Sequence, residues 1–258
     1  MSEKKNFVSI ITPTYNSSKY IIETIDSIIN QTHKEFELIL VDDCSSDNTV
    51  SIINSFIAKD KRIRLKENLK NSGAAFSRNE GLLQCKYDYI AFIDSDDIWA
   101  KEKLEKQLFF MKTNNISFSF TGYEIIDDLG ALIGKTVDTK QGNSSFSYKD
   151  MLAKKATLGC STVMLNKQSF KGLLQMPSIR TGQDYAFWLK LLKNSNKFAY
   201  IYSKALTQYR ITPTSISRNK FNKAKRQWFI YRQIENLNFF RSLYYFYFYA
   251  FRAVFKTK

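Results

Sequence analysis

Hydrophobic and polar positions along the first hundred residues follow two alternating periods. Short runs dense in β-branched and aromatic residues, at 7–12, 36–41 and 89–93, read as strands, the most apolar of them as strands buried on both faces, and 63–66 reads as a further short strand. Between them apolar residues recur at three- and four-residue spacing, as in Ile21, Ile25, Ile28 and Ile29. This predicts a helix capped by Ser17 or Ser18 and running to about Gln31, a second capped by Asp47 and ending at Ile57, and a third over 72–84. Strand–helix alternation of this kind builds βαβ units and a parallel sheet. After Asp97 the pattern changes to a helix over 101–111, a strand over 116–120, a ribbon turning at 127–130, a strand over 160–165 and a helix over 183–192. No repeat or linker interrupts the chain before about residue 218. The expected fold class is α/β, one domain with a mostly parallel central sheet and a helical C-terminal extension.

Composition narrows the class. With 258 residues, 44% of them hydrophobic, and only 9 Gly and 3 Pro, the chain can bury a core and is neither disordered nor collagen-like. Three cysteines, Cys44, Cys85 and Cys160, with no C-x-x-C pair, argue against a disulfide framework and a structural zinc site. No apolar run reaches the roughly 18 residues of a spanning helix, and none at the N-terminus resembles a signal segment. A soluble body in a reducing compartment is expected.

The formal net charge of +15 is concentrated: residues 204–258 hold twelve basic residues against a single acid, Glu235. Residues 228–255 also hold 13 aromatics. On a helical wheel Arg241, Arg252 and Lys256 form a narrow stripe with Tyr245 and Tyr249. Leu243, Tyr244, Phe246, Tyr247, Ala250, Phe251, Val254 and Phe255 fill the rest. Such a helix suits an anionic membrane surface, peripherally bound; the alternatives are docking on its own domain or on a second copy of the chain as a homodimer. Nucleic acid is not an expected partner, because single-strand binders spread their aromatics over a sheet or groove.

Acids gather at strand ends: Asp42 and Asp43 after the second strand, Asp94, Asp96 and Asp97 after the fourth. Ligands of open parallel sheets bind outside those ends. Alternate residues of an extended segment share a side, so Asp94 and Asp96 can face one hard-oxygen site for Mg2+ or Mn2+, although Asp is also a common loop residue. Neither a G-x-G-x-x-G after the first strand nor a P-loop is present; Thr12-Pro-Thr-Tyr-Asn16 stands in that place, which argues against dehydrogenases and P-loop NTPases.

Six segments stand in an order and spacing that resembles family 2 glycosyltransferases with the GT-A fold, of the bacterial surface-polysaccharide type. They are Val8-Ser-Ile-Ile-Thr-Pro-Thr-Tyr-Asn16, Asn30-Gln-Thr32, Val41-Asp-Asp-Cys-Ser-Ser-Asp47, Asn71-Ser-Gly-Ala-Ala-Phe-Ser-Arg-Asn79, Ile93-Asp-Ser-Asp-Asp97 and Gly182-Gln-Asp-Tyr-Ala-Phe-Trp-Leu189. The resemblance covers about 6–217. It implies a GT-A domain over 1–218, with a nucleotide-binding half (1–97) and an acceptor half (98–218), and leaves 219–258 as an amphipathic membrane-association segment.

The resemblance also implies roles. Pro13 and Tyr15 frame a nucleobase, Asp43 accepts from a uracil imide, Asp42 holds its loop, Gly73 admits backbone to the nucleotide, and Arg78 lies near it, with a structural ion pair as the equal alternative for Arg78. Asp94 meets the ribose or the metal's hydration shell, Asp96 binds Mn2+ or Mg2+, and Asp97 orients the donor sugar. Asp184 is the general base for the acceptor hydroxyl. Gln183, Trp188 and the segment Cys160-Ser161-Thr162 lie near donor or acceptor sugar, with core packing as the alternative for Trp188 and for that segment. Two departures matter: Gln183 stands where the family commonly has Glu, and Thr212 where it often has His. The expected activity is inverting transfer of a hexose from a UDP-sugar to a polyprenyl-diphosphate-linked saccharide at the cytoplasmic face of the inner membrane. A catalytically silent UDP-sugar-binding scaffold is the alternative.

Overall fold

The computed structural model of the chain describes residues 6–140, 142, 144–212 and 220–255. Its first half alternates β1 (Val8–Thr14), α1 (Ile21–Ile29), β2 (Phe36–Asp42), α2 (Thr49–Ile57), β3 (Ile63–Glu67), α3 (Ala74–Gln84) and β4 (Tyr89–Phe92). The four strands are parallel in the order β3-β2-β1-β4. Every residue of β1 and β2 is buried because helices cover both faces. Alternate β1 residues feed the two cores: Val8 and Ile10 meet Ile21, Ile25 and Ile28 of α1, whereas Ile11 lies with Ala75 and Leu82 of α3.

The second half runs through β5 (Ile98–Trp99), α4 (Lys103–Thr113), β6 (Phe118–Ile126), β7 (Leu132–Val137), β8 (Ser145–Phe146), α5 (Tyr148–Leu152), β9 (Val163–Asn166), α6 (Gln183–Ser195) and β10 (Ala199–Arg210). Beyond β4 the sheet continues β9-β6-β10-β5, with β7 paired to β6 as the expected ribbon. β9 runs antiparallel to both β4 and β6 and so joins the halves into one sheet.

The predicted elements occur within a few residues of their places, with two exceptions. Cys160–Thr162 is a 3-10 turn ahead of β9, not part of the strand. Neither Ser17 nor Ser18 caps α1 with its side chain; the Ser17 hydroxyl instead meets that of Ser95 at 2.7 Å and ties the first loop to the acidic loop.

The basic, aromatic C-terminal region folds as α7 (Lys220–Phe229), a π-helical turn (Ile230–Ile234) and α8 (Phe239–Phe255). The proposed boundary at 218 lies outside the described residues. This region is docked on the body. Ile230 and Tyr231 are buried in the larger core, the Tyr231 hydroxyl donates to the Leu152 carbonyl, and buried Glu235 takes 2.6 Å and 3.1 Å contacts from Tyr148 and Lys193. On α8, Tyr245 and Phe246 lie against the core, while Phe240, Leu243, Tyr244, Tyr247 and Phe251 are exposed. The outward face is therefore aromatic, and Tyr245 with Tyr249 turns toward the body rather than flanking an outward basic stripe; Lys256 lies outside the described residues. Among the described residues no helix is long and apolar enough to cross a membrane.

Candidate active site

Because β1, β2 and β4 run parallel, the loops after Thr14, Asp42 and Phe92 emerge at one edge of the sheet. They line a cavity of about 250 Å³ that includes Pro13, Tyr15, Asp43, Arg78, Asp94 and Asp96, which brings together six positions singled out from sequence. Tyr15 is 52% exposed, so its ring is presented at the mouth and is not core. Asp42 holds the loop as expected, accepting from Thr14 Oγ1 at 2.9 Å and Ser45 N at 2.8 Å. Asp43 is likewise held: Asn68 Nδ2 donates at 2.8 Å, Ser72 N at 3.0 Å and Gly73 N at 2.6 Å. Three donors leave capacity on the carboxylate for a fourth. Gly73 does not line the cavity; at φ +88° it turns the chain so that its amide meets Asp43, a conformation that disfavours any other residue.

Arg78 is fully buried, and its Nη2 donates to Asp94 Oδ1 at 2.5 Å. Nearby acids hold its guanidinium firmly charged against the cost of burial. Its Nε and Nη1 have no hydrogen-bond partner among the described residues, and buried orphan donors of this kind favour an anionic or carbonyl-bearing ligand.

The acidic loop separates three roles. Asp96 lines the cavity, and burial with the neighbouring Asp94 pushes its carboxyl up to about 6. A carboxylate so strained by burial and a like charge suits a divalent cation. No group of three or more candidate ligands occurs among the described residues, so a cation here would take its other ligands from phosphate and water. Asp97 is fully buried and lines neither this cavity nor the next: it accepts from Ser161 Oγ and from Arg210 N at 2.9 Å, and burial raises its carboxyl well above the usual range. Arg210 is committed beneath the loop, donating to Asp96 O at 2.8 Å and Glu23 at 2.6 Å, and so does not replace the absent His. Thr212 lines a neighbouring cavity that also includes Asp96.

A second cavity, of about 440 Å³, adjoins the first, and Asp94 lines both. Asp184, Cys160 and Ser161 lie in its wall. Asp184 sits in the first turn of α6, behind Gly182 at φ +76°. Burial raises the Cys160 thiol well above its usual range, while Arg78 opposes this and Asp94 and Asp184 reinforce it. The same thiol therefore feels both the Arg78–Asp94 pair and Asp184. Ser161 bridges, accepting from Asp94 N at 3.0 Å and donating to Asp97.

Trp188 does not offer a sugar platform. It is fully buried between Phe92, Phe118 and Phe187, because the face of α6 one turn beyond Asp184 looks into the core. Gln183 is not in the cavity lining either, and its Oε1 is buried without a partner among the described residues.

The sequence reading missed the far wall. Lys223, Arg226, Gln227 and Ile230 from α7 and its π turn, Tyr249 from α8, and Lys154 after α5 all line this cavity. The signal that could have found them is Gly182: a Cβ there would lie 2.9 Å from Arg226 Cδ, so a glycine before Asp184 marks close approach by another element.

The Glycosyl transferase family 2 profile matches residues 9–173. The chain belongs to this family. TuaG of Bacillus subtilis (strain 168), whose name places it in teichuronic acid biosynthesis, is 44% identical over 254 residues, covering 98% of both chains. The Escherichia coli UDP-Glc:alpha-D-GlcNAc-diphosphoundecaprenol beta-1,3-glucosyltransferase WfgD is 40% identical over 221 residues, covering 86% of this chain and 83% of its own. Among solved structures, S. aureus TarS 1-349 in complex with UDP superposes with a TM-score of 0.67 at 27% identity, over 80% of this glycosyltransferase and 61% of the TarS chain. The GT-A fold expected from the six segments is thereby established.

Proposed function

We propose that this glycosyltransferase moves a hexose from a UDP-sugar, with inversion, to a saccharide carried on a polyprenyl diphosphate during assembly of a bacterial surface polysaccharide. One observation carries the reading: Asp94 is the common wall of two cavities, one holding Tyr15, Asp43 and Arg78, the other holding Asp184. UDP bound to TarS and the donor and acceptor in the name of WfgD support the substrate classes.

Uracil stacks on Tyr15 and donates its imide proton toward Asp43, while the orphan donors of Arg78 meet the nucleotide. Asp96, with Asp94 beside it, holds Mn2+ or Mg2+, which when bound stabilises the charge growing on departing UDP. Asp184 accepts the acceptor hydroxyl's proton as that oxygen attacks the anomeric carbon from the side opposite UDP. The exposed aromatic face of α8 rests on the cytoplasmic leaflet of the inner membrane, with exposed Lys225 and Arg241 toward anionic headgroups.

The test is UDP release from a donor panel with a prenyl-diphosphate-linked saccharide, with and without EDTA. Asp184→Asn is expected to lower turnover roughly 100-fold or more, EDTA to suppress release, and the product to have the anomeric configuration opposite to that of the donor. Near wild-type turnover of Asp184→Asn would overturn the base assignment. UDP binding by calorimetry with no release from any donor would instead favour a silent scaffold.

A further inference from the structure

The proposed reading leaves open how a flexible, doubly charged lipid is held while its sugar meets Asp184. Of the charged side chains lining the second cavity, Asp94 is paired with Arg78, whereas Lys154, Lys223 and Arg226 bring three cations to the same space as Asp184. Lys154 is placed by a left-handed backbone (φ +54°), and its Nζ sits 3.1 Å from the Tyr185 ring centroid. It is close enough to both Asp184 and Arg226 to feel each: burial lowers its ammonium to about 7, Asp184 opposes this and Arg226 adds to it. Two basic side chains facing one cavity, one of them desolvated by burial, form a site prepared for an anion.

Arg226 has a second outlook. Besides the acceptor cavity it lines a groove of about 450 Å³ with Ile179, Arg180, Lys225 and Phe229. The cavities thus form a series: Asp94 stands between the first and second, and Arg226 between the second and this outer groove. The outer groove combines cations with two apolar side chains, Ile179 and the 45% exposed Phe229. This is the chemistry of a lipid diphosphate at the point where it changes from headgroup to hydrocarbon.

Resting on the reading above, we propose that Arg226 and Lys154 grip the diphosphate of the acceptor lipid, and that its first prenyl units leave across Ile179 and Phe229. A sugar attached to that diphosphate then reaches Asp184 from the side opposite the nucleotide pocket. α7 is in this sense a substrate-binding element.

The experiment compares two acceptors carrying the same N-acetylglucosamine, one as a prenyl diphosphate and one as an uncharged alkyl glycoside of matched chain length. Arg226→Gln keeps the stem that lies on Gly182, and Lys154→Met keeps the volume. For each, the rise in KM for the diphosphate acceptor is expected to exceed that for the glycoside at least tenfold, with Arg226→Lys recovering most of the loss. UDP affinity by calorimetry reports that the donor pocket is intact. Equal losses on both acceptors, or no loss on either, would overturn the diphosphate grip and leave the proposed function standing. A wild-type enzyme that uses the glycoside but not the prenyl diphosphate would overturn both.

Discussion

Asp43 carries a structural task on its carboxylate and, in the function proposed above, a recognition task as well. Its acceptance from Asn68, Ser72 and Gly73 shapes the turn into α3. In Asp43→Asn the amide NH2 faces donors, leaving a buried N–H unpaired at a cost of about 1–3 kcal/mol. For a chain of this size that corresponds to a fall in Tm of several degrees, and UDP titration is expected to show weaker binding in parallel. A variant with unchanged Tm and unchanged UDP affinity would show that neither task belongs to Asp43. The acids at strand ends were readable because parallel-sheet topology fixes which loops share an edge, so Asp43, Asp94 and Asp96 could be brought together without coordinates. Trp188 and Asp97 were not readable in the same way. Whether an aromatic one turn past Asp184 faces a ligand or the core depends on Phe92 and Phe118 opposite it. Whether an acid is free depends on Arg210, far along the chain.

At the scale of elements, β1, β2 and β4 announced themselves through apolar density and β3 through alternation, whereas β10 did not. Its burial alternates irregularly, and its pairing with β6 shifts register between Tyr202 and Thr207, so no clean period of two survives in the sequence. α8 was legible as a helix, but which of its arcs faces outward was decided by Tyr231 and the core beneath it. With Phe240 80% and Tyr247 63% exposed, the outward arc has no cover from the described residues of its own chain. Phe240→Glu combined with Tyr247→Glu places two charges at that arc. Flotation with anionic liposomes is expected to show at least a tenfold loss of bound protein, with UDP affinity retained. Undiminished flotation would overturn the proposed contact of α8 with the membrane.

For the molecule as a whole, buried lysines make stability vary with pH, and Lys103 lies away from both cavities. Lys103 is fully buried in α4, with its Nζ 2.6 Å from Gln107 Oε1 and over the Trp99 ring at 4.3 Å. Burial nevertheless lowers its ammonium from the ordinary 10.5 to about 7. Between those values the unfolded chain holds a proton on this group that the folded chain lacks, so the contribution of Lys103 to stability is expected to rise as pH increases from about 7 toward 10. Urea unfolding across that range is expected to show the rise in the wild type and a flatter profile in Lys103→Met. Equal slopes in both would place the charge elsewhere.

The close approach of Arg226 to Gly182 has a consequence for the order of events during synthesis. A ribosome emits the parallel strands β1 to β4 first and α7 more than a hundred residues later. A nascent chain can thus shape the pocket around Asp43 while the chamber around Asp184 still lacks a side, and that chamber is closed only once α7 has emerged.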